Sequence, residues 1–326
     1  MVVAIIYEEK NDTGMTVDPM HVEMVRQALP GAEVYLAYSG EEMSARGVEA
    51  DILIIRTIAG RAFIAKDYIM SQKNLRWIHG LTAGVEGVTG SEIAKIPNLI
   101  LSNSTGIHGV PISEHVLGVM IYHYHGYERN RVNQQNHRWE RFFVSELSEK
   151  TLSILGMGNI AGEIAKRAKA FGMTVLGVKR TVQAIENVDE VFPPERMDEA
   201  IARADTLVML LPETDKTARI MDAEKFALMK DDAFFINVGR ASTVETDALI
   251  DALKSGKLSG AALDVFDTEP LPADHPIWDV ENVFITTHMS SISPHYMQRA
   301  FKVFQDNAPF FLRGERLPTQ VDIDKY

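Results

Sequence analysis

The stretch Thr151–Arg180, TLSILGMGNIAGEIAKRAKAFGMTVLGVKR, constrains the fold more than any other part of the chain. A short apolar run, Leu152, Ile154 and Leu155, meets a turn at Gly156-Met157-Gly158. Ile160, Ile164, Ala168 and Phe171 then recur at helical spacing, and a second apolar run spans Val175–Val178. Strand, glycine turn, helix and strand in that order form a βαβ unit of the kind that binds dinucleotides. Gly156 allows the tight exit from the strand. Gly158 lets bare backbone approach a pyrophosphate, and the helix start offers free N–H groups and a partial positive charge. The expected cofactor contacts are therefore Gly156, Met157, Gly158, Asn159 and Ile160, with Ala161 in the third small position.

About twenty residues past the glycines, an NAD site places an acidic side chain for the ribose 2′-hydroxyl. Here the second strand runs instead into Lys179-Arg180-Thr181. Two cations and a hydroxyl suit a 2′-phosphate, because Lys and Arg give it charge-assisted hydrogen bonds. The expected cofactor is NADP(H), with NAD(H) second.

Bulk properties narrow the class further. The 326-residue length suggests two domains, and a net charge of −12 points away from nucleic acid as a partner. With no cysteine, disulfides, thiolate catalysis and thiolate metal sites all drop out. The opening VVAIIY lacks a basic start and reads as a strand. No apolar run approaches the length of a membrane span, so no membrane partner and a cytoplasmic setting are expected.

Along the chain, apolar runs of strand length fall at Val2–Tyr7, Glu33–Ala37, Asp51–Ile55, Leu75–His79 and Leu99–Ser102, with helices expected at Met20–Leu29 and Arg61–Ser71. Such alternation implies a parallel sheet covered on both faces. Ligand-facing loops then follow strand ends, at Arg56-Thr57-Ile58 and at Leu81–Gly87, whose small residues could turn consecutive N–H groups toward a carboxylate. Pro111 suits the first turn of a long helix running from Ser113 to about Asn133. His108, His115, His123, His125 and His137 are poorly spaced for a metal site, and none is expected. Trp139, Phe142 and Phe143 form an aromatic cluster suited to core or subunit packing, or to the wall of a pocket. After the nucleotide unit, strands are expected at Thr206–Leu211, Ala233–Val238, Ala261–Val265 and Val283–Thr286, and a last helix at Pro294–Leu312.

Three residues could make a catalytic set: Arg240 ends FINVGR, Glu269 lies in LDVFDTEPL, and His288 closes FITTH. Each follows a strand, so all three emerge on the carboxyl edge that carries the glycine turn. The residue types suit hydride transfer to a 2-oxo acid. Arginine binds a carboxylate and polarises the adjacent carbonyl, histidine delivers the accompanying proton, and a carboxylate beside it sets the tautomer.

LGMGNIAGEIA, LLPETDKTARIMD, FFINVGRAS, AALDVFDTEPLP and ITTHMSS occur in an order and spacing that resemble the D-isomer-specific 2-hydroxyacid dehydrogenases over essentially the whole chain. The resemblance implies an α/β fold of two Rossmann/flavodoxin-like domains with parallel sheets, the cofactor domain inserted into the substrate domain. The boundaries would be residues 1–103 plus 289–326 for substrate and 104–288 for the dinucleotide. It also implies a homodimer built through the cofactor domains and the helix near 112–133. Carried over, Arg240 would bind the substrate carboxylate and carbonyl, His288 would be the acid/base, and Glu269 would favour its protonated form. Asp264 would hold the nicotinamide carboxamide, Leu211, Pro212, Val238 and Gly239 would line the nucleotide, and backbone groups of Ala83, Gly84 and Val85 would receive the substrate carboxylate. TTHMSS departs from the usual proline before the histidine and glycine or alanine after it, at the nicotinamide-facing Ser290.

The resulting expectation is an NADPH-preferring reductase that turns a small 2-oxo acid into the D-2-hydroxy acid. Glyoxylate and hydroxypyruvate lead, and a bulkier aryl or branched 2-oxo acid follows. The rivals are NAD-linked oxidation of a D-2-hydroxy acid and a dinucleotide-sensing, corepressor-like interaction protein.

Overall fold

A computed structural model describes residues 1–7, 15–57, 65–89 and 91–323. The chain divides into two compact units, one of Met1–Ile107 with Ile292–Tyr326 and one of His108–Ser291. Both are α/β units on parallel sheets, the fold class expected from the sequence.

In the first unit the elements are β1 (Val2–Ile6), α1 (Pro19–Ala28), β2 (Glu33–Ala37), α2 (Gly40–Ala45), β3 (Ile52–Ile55), α3 (Lys66–Ser71), β4 (Trp77–Gly80), α4 (Glu86–Thr89) and β5 (Ile100–Ser102). The strands lie in the order β2-β1-β3-β4-β5, the flavodoxin-like arrangement. β3, ILII, is buried along its whole length, as a central parallel strand covered on both faces must be. One face is covered by the closing helix Tyr296–Arg313, whose Phe304 stacks on Trp77 with ring centroids 4.8 Å apart. Ile58 and the Arg61–Ile64 start expected for a helix lie outside the described residues; α3 itself begins at Lys66.

The second unit runs through α5 (Gly109–Tyr124), α6 (Tyr127–Gln135), β6 (Thr151–Leu155), α7 (Asn159–Ala170), β7 (Thr174–Val178), β8 (Glu190–Phe192), α8 (Met197–Ala202), β9 (Thr206–Met209), α9 (Ala223–Leu228), β10 (Ala233–Asn237), α10 (Thr246–Lys254), β11 (Leu258–Leu263) and β12 (Val283–Ile285). Its sheet order is β12-β11-β10-β9-β6-β7-β8, the Rossmann order with one strand added beyond β11. The order reverses between β6 and β9, so the glycine turn after β6 stands at the switch point where ligands bind in such sheets. The structure differs from the sequence reading in two places. The single long helix is two helices, because Gly126 adopts φ +62° and a Cβ there would come within 2.7 Å of the Phe142 ring. The short strand β8 was unexpected. Among the described residues no helix is long and apolar enough to cross a membrane.

Candidate active site

Gly156 leaves β6 at φ +105°, and a Cβ on it would meet the Leu210 carbonyl oxygen at 2.8 Å. The glycine is thus required both for the turn and for the close approach of the chain leaving β9. A Cβ on Gly158 would meet no atom within 4 Å, so that space is open beside the first turn of α7. The first N–H groups of a helix have no partner within it, and an anion can take them. Ala161 is buried, and Met157 turns its side chain inward, because Gly177 on β7 leaves the space it fills. Only the backbone of Met157 remains for a cofactor. The same holds for the buried Val238; Gly239 packs on the backbone of Met209 and Leu210. Leu211 and Pro212 follow β9 on the same edge.

Past β7, Lys179 is partly exposed, while Arg180 and Thr181 are exposed. Neither cation is in an ion pair among the described residues, whereas nearby Lys169 and Arg203 are paired with Asp189 and Glu190. The open glycine and the helix start fit the pyrophosphate of a nicotinamide dinucleotide.

Arg240 follows β10 and is exposed. Its turn is braced from within: buried Asn237 accepts from the Gly239 N–H at 3.1 Å and donates to the Arg240 carbonyl at 3.2 Å, and the Thr243 hydroxyl donates to that carbonyl at 2.7 Å. In the loop after β11, Glu269 accepts the Phe266 N–H on Oε1 at 3.0 Å and meets His288 Nδ1 with Oε2 at 2.8 Å. His288 follows β12.

Asp264 is 1% exposed and faces the chain's own loop. Its Oδ1 accepts from the Thr286 hydroxyl at 2.5 Å and the Met289 N–H at 2.9 Å, and its Oδ2 from the Ser290 N–H at 3.1 Å and the Ser290 hydroxyl. All of these donors come from the loop that follows β12, and the contact of Asp264 with a nicotinamide carboxamide remains a proposal. The Ser290 hydroxyl is likewise spent on Asp264.

Two histidines passed over in the sequence belong here. His108 and His115 are seven residues apart at the start of α5, about 20° short of two full turns, so they share a face. Burial, then the charges of Arg240 and His288, hold the His108 imidazole down at about 4. Burial also lowers His115, against the opposing charge of Asp264. The heptad spacing was the available signal. His123 instead stacks on Phe234 with centroids 4.1 Å apart and bonds the Ser259 hydroxyl, a packing role. Among the described residues no group of His, Asp or Glu could hold a metal ion.

The expected carboxylate loop lies in the first unit. Its carbonyls are committed: Thr82 to the Ser104 N–H, Ala83 to the Asn103 amide at 2.7 Å, and Gly84 to the Thr57 hydroxyl at 2.6 Å. No hydrogen bond among the described residues uses the N–H groups of Ala83, Gly84 and Val85, which are what the loop has to offer an anion.

Residues 117–290 match the NAD binding domain of the D-isomer specific 2-hydroxyacid dehydrogenases. The hydroxypyruvate reductase of Thermotoga maritima is 30% identical over 77% of this chain and 81% of its own length. The crystal structure of a D-isomer specific 2-hydroxyacid dehydrogenase family protein from Aeromonas salmonicida superposes with a TM-score of 0.84 at 30% identity, covering 99% of both chains. An NADPH-dependent glyoxylate/hydroxypyruvate reductase from Sinorhizobium meliloti, in complex with NADP and sulfate, gives 0.81 at 27% identity over 99% of this chain and 98% of that one. By the family match over more than half of its length and by these relatives, the chain belongs to the D-isomer specific 2-hydroxyacid dehydrogenase family.

Proposed function

We propose that this chain reduces a small 2-oxo acid to the D-2-hydroxy acid with NADPH, its second unit carrying the cofactor. The observation that carries this reading is the 2.8 Å contact between His288 Nδ1 and Glu269 Oε2. A carboxylate only accepts, so a proton sits on Nδ1 and Nε2 is the nitrogen left to face substrate. Glu269 is itself held by the Phe266 N–H, which keeps the imidazole oriented. In the reducing direction His288, protonated on both nitrogens, gives its Nε2 proton to the carbonyl oxygen as that oxygen becomes a hydroxyl. Arg240, always charged, forks onto the substrate carboxylate and polarises the carbonyl. When bound, the cofactor supplies the hydride. A neutral His108 beside Arg240 leaves the guanidinium as the permanent cation for the carboxylate. The N–H groups of Ala83, Gly84 and Val85, unused among the described residues, are proposed as a carboxylate-binding nest in the first unit.

Glyoxylate and hydroxypyruvate are the leading substrates, in line with the activities named for the Thermotoga and Sinorhizobium relatives. Lys179, partly exposed, and Arg180, exposed, are in no ion pair among the described residues, which supports NADPH over NADH. The arm after α6 leaves Trp139 and Phe143 90% and 103% exposed, which supports burial against a second copy as a homodimer.

The test is loss of reduced-nicotinamide absorbance with glyoxylate, hydroxypyruvate and phenylpyruvate, each with NADPH and NADH, alongside His288→Asn. Turnover favouring NADPH and abolished by the substitution supports the reading. Tight cofactor binding with no turnover on any acid overturns it in favour of a sensor.

A further inference from the structure

We propose that Ser290 is a positioning residue for His288: its hydroxyl, closed on Asp264, latches the turn that aims the imidazole. This rests on the reading of His288 as the acid/base.

His288 has φ +53°, in the left-handed region. That region crowds the Cβ of an L residue, and histidine is among the types that tolerate it best. Such a conformation persists only where the surroundings over-determine it. Here one carboxylate grips the chain on both sides of it. Asp264 takes the Thr286 hydroxyl two residues before the histidine, and the Met289 N–H, Ser290 N–H and Ser290 hydroxyl after it. The strained residue is therefore gripped from both sides by a single group.

That group is itself fixed. The Asp264 N–H donates to the Asn237 carbonyl at 3.0 Å, and the Thr286 N–H donates to the Leu263 carbonyl at 2.9 Å. A carboxylate has about four lone-pair sites, and four donors fill them. Taking away the Ser290 hydroxyl leaves a buried oxygen short of a partner and the far side of the turn held by backbone alone. Among the described residues the titratable group facing Asp264 from α5 is His115, while Glu269 and His108 face His288 itself. None of these grips the backbone of the turn. Thr287 stands where a proline would restrict the backbone, so this sequence relies on side-chain hydroxyls to hold the histidine. A turn released from Asp264 would be free to rotate away from Glu269, and the aim of Nε2 would be lost with it.

Ser290→Ala in the full chain tests the latch by two routes. The first is kinetic: kcat should fall about tenfold, since an ångström of misplacement costs up to about a hundredfold, while the KM for oxo acid stays within about twofold. The NADPH dissociation constant, followed by nicotinamide fluorescence, should also stay within about twofold. The second route needs no turnover. Amide exchange across residues 287–291 should quicken by about tenfold or more as the local opening becomes easier. Thr286→Val, which removes the other hydroxyl, repeats both measurements should Ser290→Ala fail to fold. Unchanged kcat and unchanged exchange overturn the latch. So does weakened NADPH binding with kcat kept at saturation, which would make Ser290 a cofactor contact. Turnover retained in His288→Asn would instead overturn the acid/base reading, and amide exchange would still decide the latch.

Discussion

The backbone N–H of Asp264 donates to the carbonyl of Asn237 across 3.0 Å, so two buried polar side chains that end neighbouring strands stand side by side. Each braces a different turn, Asn237 that of Arg240 and Asp264 that of His288. Past the end of a parallel strand the ladder no longer satisfies backbone groups, and a buried amide or carboxylate does so instead. Both proposed catalytic side chains are thereby carried on turns tied to the sheet.

Asn237→Ala should release the Arg240 turn by removing both hydrogen bonds of the amide. Each is worth about 1 kcal/mol, so urea unfolding should show a loss of roughly 2 kcal/mol. The KM for oxo acid should rise more than kcat falls, since carboxylate binding is what the turn positions. A pure stability loss with unchanged KM would confine Asn237 to the fold.

Glu269→Gln should keep the contact with His288 but lose the obligate acceptor that places the proton on Nδ1. General acid–base groups contribute about 10²–10⁴-fold, and a partial loss of about tenfold or more in kcat is expected. Steady-state kinetics with Glu269→Gln and His288→Asn, singly and combined, should give a combined loss well short of the product. Full additivity would separate the two residues.

Lys179→Ala and Arg180→Ala should raise the KM for NADPH and leave that for NADH nearly unchanged. A hydrogen bond to a charged group is worth about 1.5–3 kcal/mol, or roughly 10–100-fold for each cation. The ratio of the two KM values is the readout. Equal changes for both cofactors would remove the 2′-phosphate assignment.

In the first unit, His79 is wholly buried, with Nδ1 2.8 Å from the Ser102 hydroxyl, which also accepts from Trp77 Nε1 at 2.8 Å. Burial holds its imidazole down at about 3, partly countered by a hydrogen bond to the Ala300 backbone. An unfolded chain takes up that proton near the ordinary value of about 6.5, so between the two values the unfolded state carries more protons. Its contribution is therefore full above about pH 6.5 and is lost as pH falls toward 3, on the order of 5 kcal/mol in all. His108 and His123, held down at about 4, act in the same direction. Urea midpoints should decline from neutral pH toward pH about 5, and His79→Gln should flatten the decline. An equal slope in the variant would rule this histidine out as a source.

The sequence alone determined the alternation of strands and helices, the place of the glycine turn, and the strand ends from which Arg240 and His288 follow. Those are properties of neighbouring residues: apolar period, glycine where a turn needs it, and β2 with the same bounds, Glu33–Ala37, that its apolar run shows. Only the tertiary structure decided the rest. Gly126 divides the long helix because Phe142 closes on it, and Met157 turns inward because Gly177, twenty residues on, leaves it room. Asp264 finds its partners 22 to 26 residues away, and His108 meets Arg240 and His288 through elements from opposite ends of the second unit. Such partners are set by the strand order, which places β11 between β10 and β12. A run of residues records its own period but not which other run will lie beside it, so the site became legible only once the sheet was assembled.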